Sequence, residues 1–171
     1  YYIDLRLVPS FPHQFRKMIK NLQNLIIEKT GLDDFESFAT VPTGGLVITS
    51  ALAIETVKPL IYVRNKPKEY GTAKSIEGKI SHGMKVVVID DVLTTGTSVL
   101  NGVKQLRDAE LSVSDLYVII NRLEGADKTL SDVGIQTHQL TDILEITNAL
   151  FEEKLVSEET FDKIKNQVSQ N

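Results

Sequence analysis

Apolar positions recur at helical spacing over residues 11–30, where Phe15, Met18, Ile19, Leu22, Leu25 and Ile26 share one face of a 3.6-residue repeat. Pro12 sits in the first turn, where its missing N–H removes no bond, and Gly31 follows as a C-cap. The pattern then changes. Phe38 to Val41 reads as a short strand, Pro42-Thr43-Gly44-Gly45 as a turn, Leu46 to Glu55 as a helix with an apolar face, and Leu60 to Val63 as a second strand. The rhythm resumes at Lys85 to Asp90, where Val86-Val87-Val88-Ile89 is the continuous apolar run of a strand buried on both faces. A helix over 98–109, with Val99, Val103 and Leu106 on one side, leads to a strand over Leu116 to Ile120. Alternating strands and helices predict an α/β fold with a parallel, doubly wound sheet. The C-terminal part reads as two short helices, the first capped by Thr141 and the second by Ser157.

Residues 66–83 break this rhythm with a polar, Lys-rich stretch containing Gly71, Gly78 and Gly83. A loop longer than about 12–15 residues in a compact domain is usually a lid, a binding loop or disordered, and a flexible loop of one of these kinds is expected here. The 171 residues suit one domain, 1–171, with a single core. Hydrophobic residues at 42% and charged residues at 25% place the chain among ordinary globular proteins. No apolar run reaches the ~18 residues of a membrane span, so no membrane partner is expected. The absence of cysteine excludes disulfides and thiolate chemistry, and a cytoplasmic location is expected. A net charge of −4 without a basic face argues against a nucleic-acid partner. The chain opens at Tyr1, within an apolar-aromatic stretch, and residues of the natural protein are expected to precede it.

The most informative string is Val86 to Ser98, VVVIDDVLTTGTS. A buried strand ends in Asp90 and Asp91, a Thr/Gly/Ser loop follows, and a helix begins. In open α/β sheets ligands bind beyond the carboxyl ends of the strands. Amides at a helix start carry partial positive charge, Thr94, Thr95, Thr97 and Ser98 add hydroxyls, and Gly96 lets the backbone approach closely. Together they form a cradle for phosphate. Carboxylates beside it suit a sugar diol, or a Mg²⁺ carried by pyrophosphate. There is no G-x-G-x-x-G and no G-K-[ST], so dinucleotide and P-loop readings are weak.

The whole string resembles the phosphoribosyl pyrophosphate (PRPP) signature of the type I phosphoribosyltransferases. That resemblance implies a Rossmann-like parallel sheet flanked by helices, with a mobile lid loop. It also implies that Asp90 and Asp91 hold the ribose and that the segment Val92, Leu93 and Thr94 to Ser98 completes the PRPP site. The turn containing Thr43 and Gly44 is similar to the family's pyrophosphate loop.

Three more segments resemble the orotate phosphoribosyltransferases within that family. YYIDLR at Tyr1 to Arg6 is similar to their N-terminal aromatic segment, which implies Tyr2 against the orotate ring. RNKPKEYG at Arg64 to Gly71 is similar to their catalytic loop, which implies Arg64, Lys68 and Tyr70 on PRPP. Asn65 stands where many members carry Lys, and Tyr70 where bacterial members often carry His. Asn121-Arg122 closes a strand, and an Arg fork there can bind a carboxylate through two parallel bonds. The resemblance implies an orotate contact at Arg122, with Thr94 beside it.

The expected reaction transfers phosphoribosyl from PRPP to orotate, giving orotidine 5′-monophosphate and pyrophosphate in UMP biosynthesis. Mg²⁺ is the expected cofactor, bound mainly through PRPP. The expected catalytic groups are Lys68, Arg64 and Asp91, in a homodimer that shares its lid loops. The alternatives are a phosphoribosyltransferase for a purine or uracil, in which Arg122 has no carboxylate to meet, and a non-catalytic PRPP-sensing regulator. A structural role is expected for His138, and His13 and His82 have no partner pattern suggesting metal or a triad.

Overall fold

A computed structural model describes residues 3–64 and 75–169. Its centre is a sheet of β1 (Ser37–Thr40), β2 (Leu60–Val63), β3 (Ile76–Glu77), β4 (Lys85–Leu93), β5 (Ser112–Asn121) and β6 (Gln136–Asp142). The spatial order is β3-β2-β1-β4-β5-β6. Neighbouring strands are parallel, except that β3 runs antiparallel to β2. The chain therefore builds outward from β1 to one side, then returns to β1's other flank at β4 and builds the opposite way. The β1/β4 boundary is the topological switch point, where open α/β sheets bind ligands.

Both faces of the sheet are covered. The apolar run of β4 divides by alternation: Val86 and Val88 join one core cluster, Val87 and Ile89 the other. The first cluster packs under α3 (Thr97–Asp108) and α4 (Ala126–Asp132), through Val99, Val103, Leu106 and Leu130. The second packs under α1 (Pro12–Lys29) and α2 (Gly44–Thr56), through Ile19, Leu22, Ile26, Ile48 and Leu52. Helix α1 stops where expected: Gly31 has φ +90 and its N–H reaches the Ile26 carbonyl. The Tyr117 hydroxyl lies 2.6 Å from that of Thr30, tying the sheet to the end of α1. Tyr117→Phe is expected to lower stability by about 1 kcal/mol, visible as a reduced melting temperature with unchanged turnover. His138 stacks on the same ring at 4.4 Å and bonds Asp115 at 2.8 Å, which is the structural placement expected of it.

Three differences from the sequence reading stand out. The stretch 66–83 is not loop throughout, because Ile76–Glu77 closes the sheet edge, with Val63 opposite Ile76. Strand β6 and helix α4 appear where no element was expected. The first C-terminal helix, α5 (Ile143–Glu152), is capped by Asp142 rather than Thr141. The Asp142 carboxylate accepts from the amides of Leu144 and Glu145, both at 2.9 Å, and Glu145 reaches back to the Asp142 amide. An anion at a helix start satisfies orphan donors and suits the helix dipole. Thr141 stays in β6, and its hydroxyl donates to Glu145 instead. Ser157 caps α6 (Glu158–Val168) as expected.

Candidate active site

Two helix starts converge at the switch point. Helix α2 follows β1 after Val41-Pro42-Thr43, and the Pro42–Thr43 peptide is cis. Helix α3 follows β4 after Thr94-Thr95-Gly96, with Gly96 at φ +78. Neither helix has a side-chain cap, so their first-turn amides keep donors for a ligand. The buried strands β1 and β4 are paired from Ser37–Val86 to Thr40–Ile89, which fixes the spacing of the two starts.

Asp90 and Asp91 follow the buried run Val86 to Ile89 of β4, between these starts. A Cβ at Gly44 would run into the Asp91 carboxylate. Residue 44 must therefore lack a side chain for that carboxylate to lie over the first turn of α2. A Cβ at Gly45 would stand 2.5 Å from Thr40 Oγ1 and 2.9 Å from Asp90 Oδ1. The Asp91 amide donates to Asp90 Oδ1 at 2.9 Å. Burial, reinforced by the adjacent Asp91 charge, pushes the Asp90 carboxyl up to about 8.

Beside Asp91 opens a cavity of about 340 Å³. The segment Ile3-Asp4-Leu5-Arg6 forms one wall, Thr43 and Gly44 another, and Asp91, Val92, Thr94 and Arg122 the third. Arg122 follows the end of β5, and its amide donates to the Leu93 carbonyl at 2.9 Å. Its Nη2 lies 2.7 Å from Glu124, and both side chains are less than a fifth exposed. The turn carrying Arg122 is held by Asn121, which is 1% exposed. Asn121 donates to Asp127 at 2.9 Å and to Gln139 at 2.7 Å, and accepts from the Leu123 amide. A buried carboxamide with both ends engaged fixes the chain direction just before the guanidinium.

The structure thus brings Thr43, Gly44, Asp91, Val92, Thr94 and Arg122 together around one cavity. Asp90 sits half-buried beside Gly45. Thr95 on the loop and Thr97 at the start of α3 are exposed and share a 3.1 Å hydrogen bond, while Gly96 is buried against Ala126. Ser98 lines a separate groove along α3. Leu93 departs from expectation: its side chain is 1% exposed in the core, and its carbonyl accepts from the Arg122 amide. Arg64 also departs, because its guanidinium pairs with Glu77 of β3 at 2.7 Å and does not line the cavity. Tyr2, Lys68 and Tyr70 lie outside the described residues. Sequence reasoning missed Arg6 and Glu124. Arg6 is joined to Asp4 through its Nε at 2.8 Å, and the Asp-x-Arg spacing in YYIDLR was the available signal.

A phosphoribosyl transferase domain model matches residues 14–148. The orotate phosphoribosyltransferase of Cenarchaeum symbiosum is 49% identical over 150 residues, which cover 88% of this chain and 75% of the relative. The crystal structure of orotate phosphoribosyltransferase from Aeropyrum pernix is similar with a TM-score of 0.78 and 31% identity, over 91% of this chain and 85% of that one. Leishmania donovani UMP synthase is similar with a TM-score of 0.86 and 25% identity, over 99% of this chain and 36% of that one.

Proposed function

The chain belongs to the phosphoribosyl transferase family, among the orotate phosphoribosyltransferases, and from that premise we propose how its switch-point residues carry out the transfer. The reaction moves phosphoribosyl from PRPP to orotate, giving orotidine 5′-monophosphate and pyrophosphate, a step of pyrimidine biosynthesis. The observation that carries the residue assignment is the cavity shared by Asp91, Arg122 and the start of α2.

In this reading the uncapped start of α3, with Thr94 to Ser98, holds the 5′-phosphate. Thr43 and Gly44 at the start of α2 hold pyrophosphate. Asp90 and Asp91 accept the ribose hydroxyls. Arg122 takes the orotate carboxylate, which distinguishes orotate from uracil. Orotate N1 bonds to ribose C1 as the bond from C1 to the pyrophosphate oxygen breaks, and the electron pair leaves with pyrophosphate. The sugar passes through an oxocarbenium-like state whose positive charge the two carboxylates favour. Positioning and electrostatics supply most of the acceleration, since orotate N1 can react as an anion without a protein nucleophile.

Magnesium fits this donor set as an ion carried by the pyrophosphate. Among the described residues there is no group of three or more His, Asp or Glu able to hold an ion alone. Bound with PRPP, it would offset charge on the leaving group. Lys68, Arg64 and Tyr70 are proposed to act on the same charge. Tyr2 is proposed to lie against the orotate ring. For Arg64 this requires exchange of its Glu77 partner for phosphate. Glu124→Gln is expected to raise the orotate KM about three- to tenfold, with the PRPP KM unchanged, since Arg122 would lose its orienting partner.

A homodimer that shares its catalytic loops, in the cytoplasm, completes the proposal. Ile54 and Val57 on and just after α2 are 81% and 92% exposed, and an apolar groove runs between α1 and α2. Apolar surface of this kind supports burial against a second copy. Mixing Lys68→Ala with Asp91→Asn subunits should restore activity in mixed dimers; none restored would count against loop sharing.

The function is tested by following orotate loss with PRPP and Mg²⁺, beside uracil, adenine and hypoxanthine. Turnover of orotate alone, abolished by chelation, is the expected result. Turnover of another base would overturn the role given to Arg122.

A further inference from the structure

Thr40 ends β1 directly beneath the start of α2. It is fully buried, and its hydroxyl has no hydrogen-bond partner among the described residues. An unsatisfied hydroxyl in a core is unfavourable, and a Val of the same shape would avoid it. Its surroundings give it a use. The point above Gly45 where a Cβ would stand is 2.5 Å from Thr40 Oγ1, 2.9 Å from Asp90 Oδ1 and 3.0 Å from the Ile89 carbonyl. The hydroxyl and the carboxylate therefore border one small space that only glycine leaves open. Pairing of Thr40 with Ile89 on the neighbouring strand holds them in that relation. The Asp91 amide donates to Asp90 Oδ1, and the carboxylate keeps room for further donors. A carboxylate can accept about four hydrogen bonds, and a hydroxyl rotates freely to donate.

We propose that Thr40 is a positioning residue for PRPP binding, its hydroxyl turning to donate to the Asp90 carboxylate when that carboxylate accepts the ribose hydroxyls. This rests on the reading that the switch-point cavity binds PRPP. Without a ligand Asp90 has little need of a second donor, because burial already favours its neutral form. With the ribose bound, the ionised carboxylate is drawn toward the sugar, and a buried donor behind it holds its orientation. Thr40 does not touch the substrate in this arrangement. It acts through Asp90.

The test compares Thr40→Val, which deletes the hydroxyl and keeps the shape, with Thr40→Ser, which keeps the hydroxyl. PRPP affinity is measured by calorimetry with Mg²⁺, and the KM values for PRPP and orotate are measured separately. Thr40→Val should bind PRPP about tenfold more weakly, the scale of one hydrogen bond to a charged group. Its orotate KM should stay within twofold, and it should melt no lower than the wild type. Thr40→Ser should bind PRPP within about twofold of the wild type, although it loses a buried methyl and some stability. Wild-type affinity in Thr40→Val, or equal weakness in both variants, would overturn the proposal, the second by showing that shape matters and the hydroxyl does not. A wild-type chain that binds no PRPP would overturn the underlying site reading as well, and is recognised before any variant is compared.

Discussion

Asp90→Asn is expected to melt at a higher temperature than the wild type above pH 8, yet to turn over less than about a hundredth as fast. The two effects share one cause. Burial beside Asp91 raises the Asp90 carboxyl from 3.8 to about 8. A carboxyl whose folded value lies above its unfolded value favours folding fully only below the unfolded value. That contribution is lost progressively as pH rises from about 4 through 8. Asparagine is neutral throughout and keeps an oxygen for the Asp91 amide, so it escapes the penalty. A relief of about 1–2 kcal/mol would raise the melting temperature by about 3–6 °C at pH 8. The two melting temperatures should converge near pH 4, and a gap that persists there would mean that Asp90 is not the source. In the proposed arrangement the loss of turnover follows because an amide cannot replace the ionised acceptor at the ribose. The same ionisation predicts that PRPP binding by the wild type releases a proton near pH 7 and tightens toward pH 9. Calorimetry in buffers of different ionisation enthalpy measures that release directly.

Arg122→Ala should lower kcat/KM for orotate by about 10²–10³, equivalent to losing a charge-assisted, two-pronged contact. It should also weaken the fold. Glu124 is 17% exposed and pairs with Arg122 at 2.7 Å, so truncation leaves a partly buried carboxylate without its partner. A fully buried pair broken in this way costs about 3–5 kcal/mol, and a partly wet one less, about 2 kcal/mol. Removing Glu124 as well separates the two losses. The Arg122→Ala/Glu124→Ala double variant should regain most of the stability and none of the orotate turnover. Recovery of turnover with stability would show that Arg122 serves the fold and leaves the carboxylate to another group, for which Arg6, which lines the same cavity, is a candidate.

The parts of the molecule legible in the sequence were those with a strong period or a chemical string. The run Val86 to Ile89 predicted a strand buried on both faces, and its residues divide between the two clusters. Helix α1 was visible from its apolar face and its Pro and Gly boundaries. The string ending in Asp90 and Asp91 led to the switch point. Strand β6 was hidden because Gln136 to Asp142 has almost no apolar content, and most of its residues are half-buried at the sheet edge. Helix α4 spans seven residues, too few to display a period. The pairing that turns Arg64 toward Glu77 depends on β3, a two-residue strand whose antiparallel course has no local signature. Glu124 and Thr40 were invisible for another reason. Their significance lies in what stands across from them, at the cavity and beneath Gly45, and spacing along the chain does not carry that information.

The switch point also bears on how the chain folds. One phosphate-grade helix start is contributed by the half of the chain before residue 65 and the other by the half after residue 84, and the pairing of β1 with β4 joins them. Neither half owns a complete site. The distance between the two helix starts is inherited from one parallel register, so a slip of β1 along β4 by a single residue would exchange the faces of every side chain on the slipped strand. Such a slip would bury the wrong residues and misplace the cradle in the same event. Correct folding and catalytic competence are in this sense one transition, and the pairing between distant parts of the chain that completes the core also completes the enzyme.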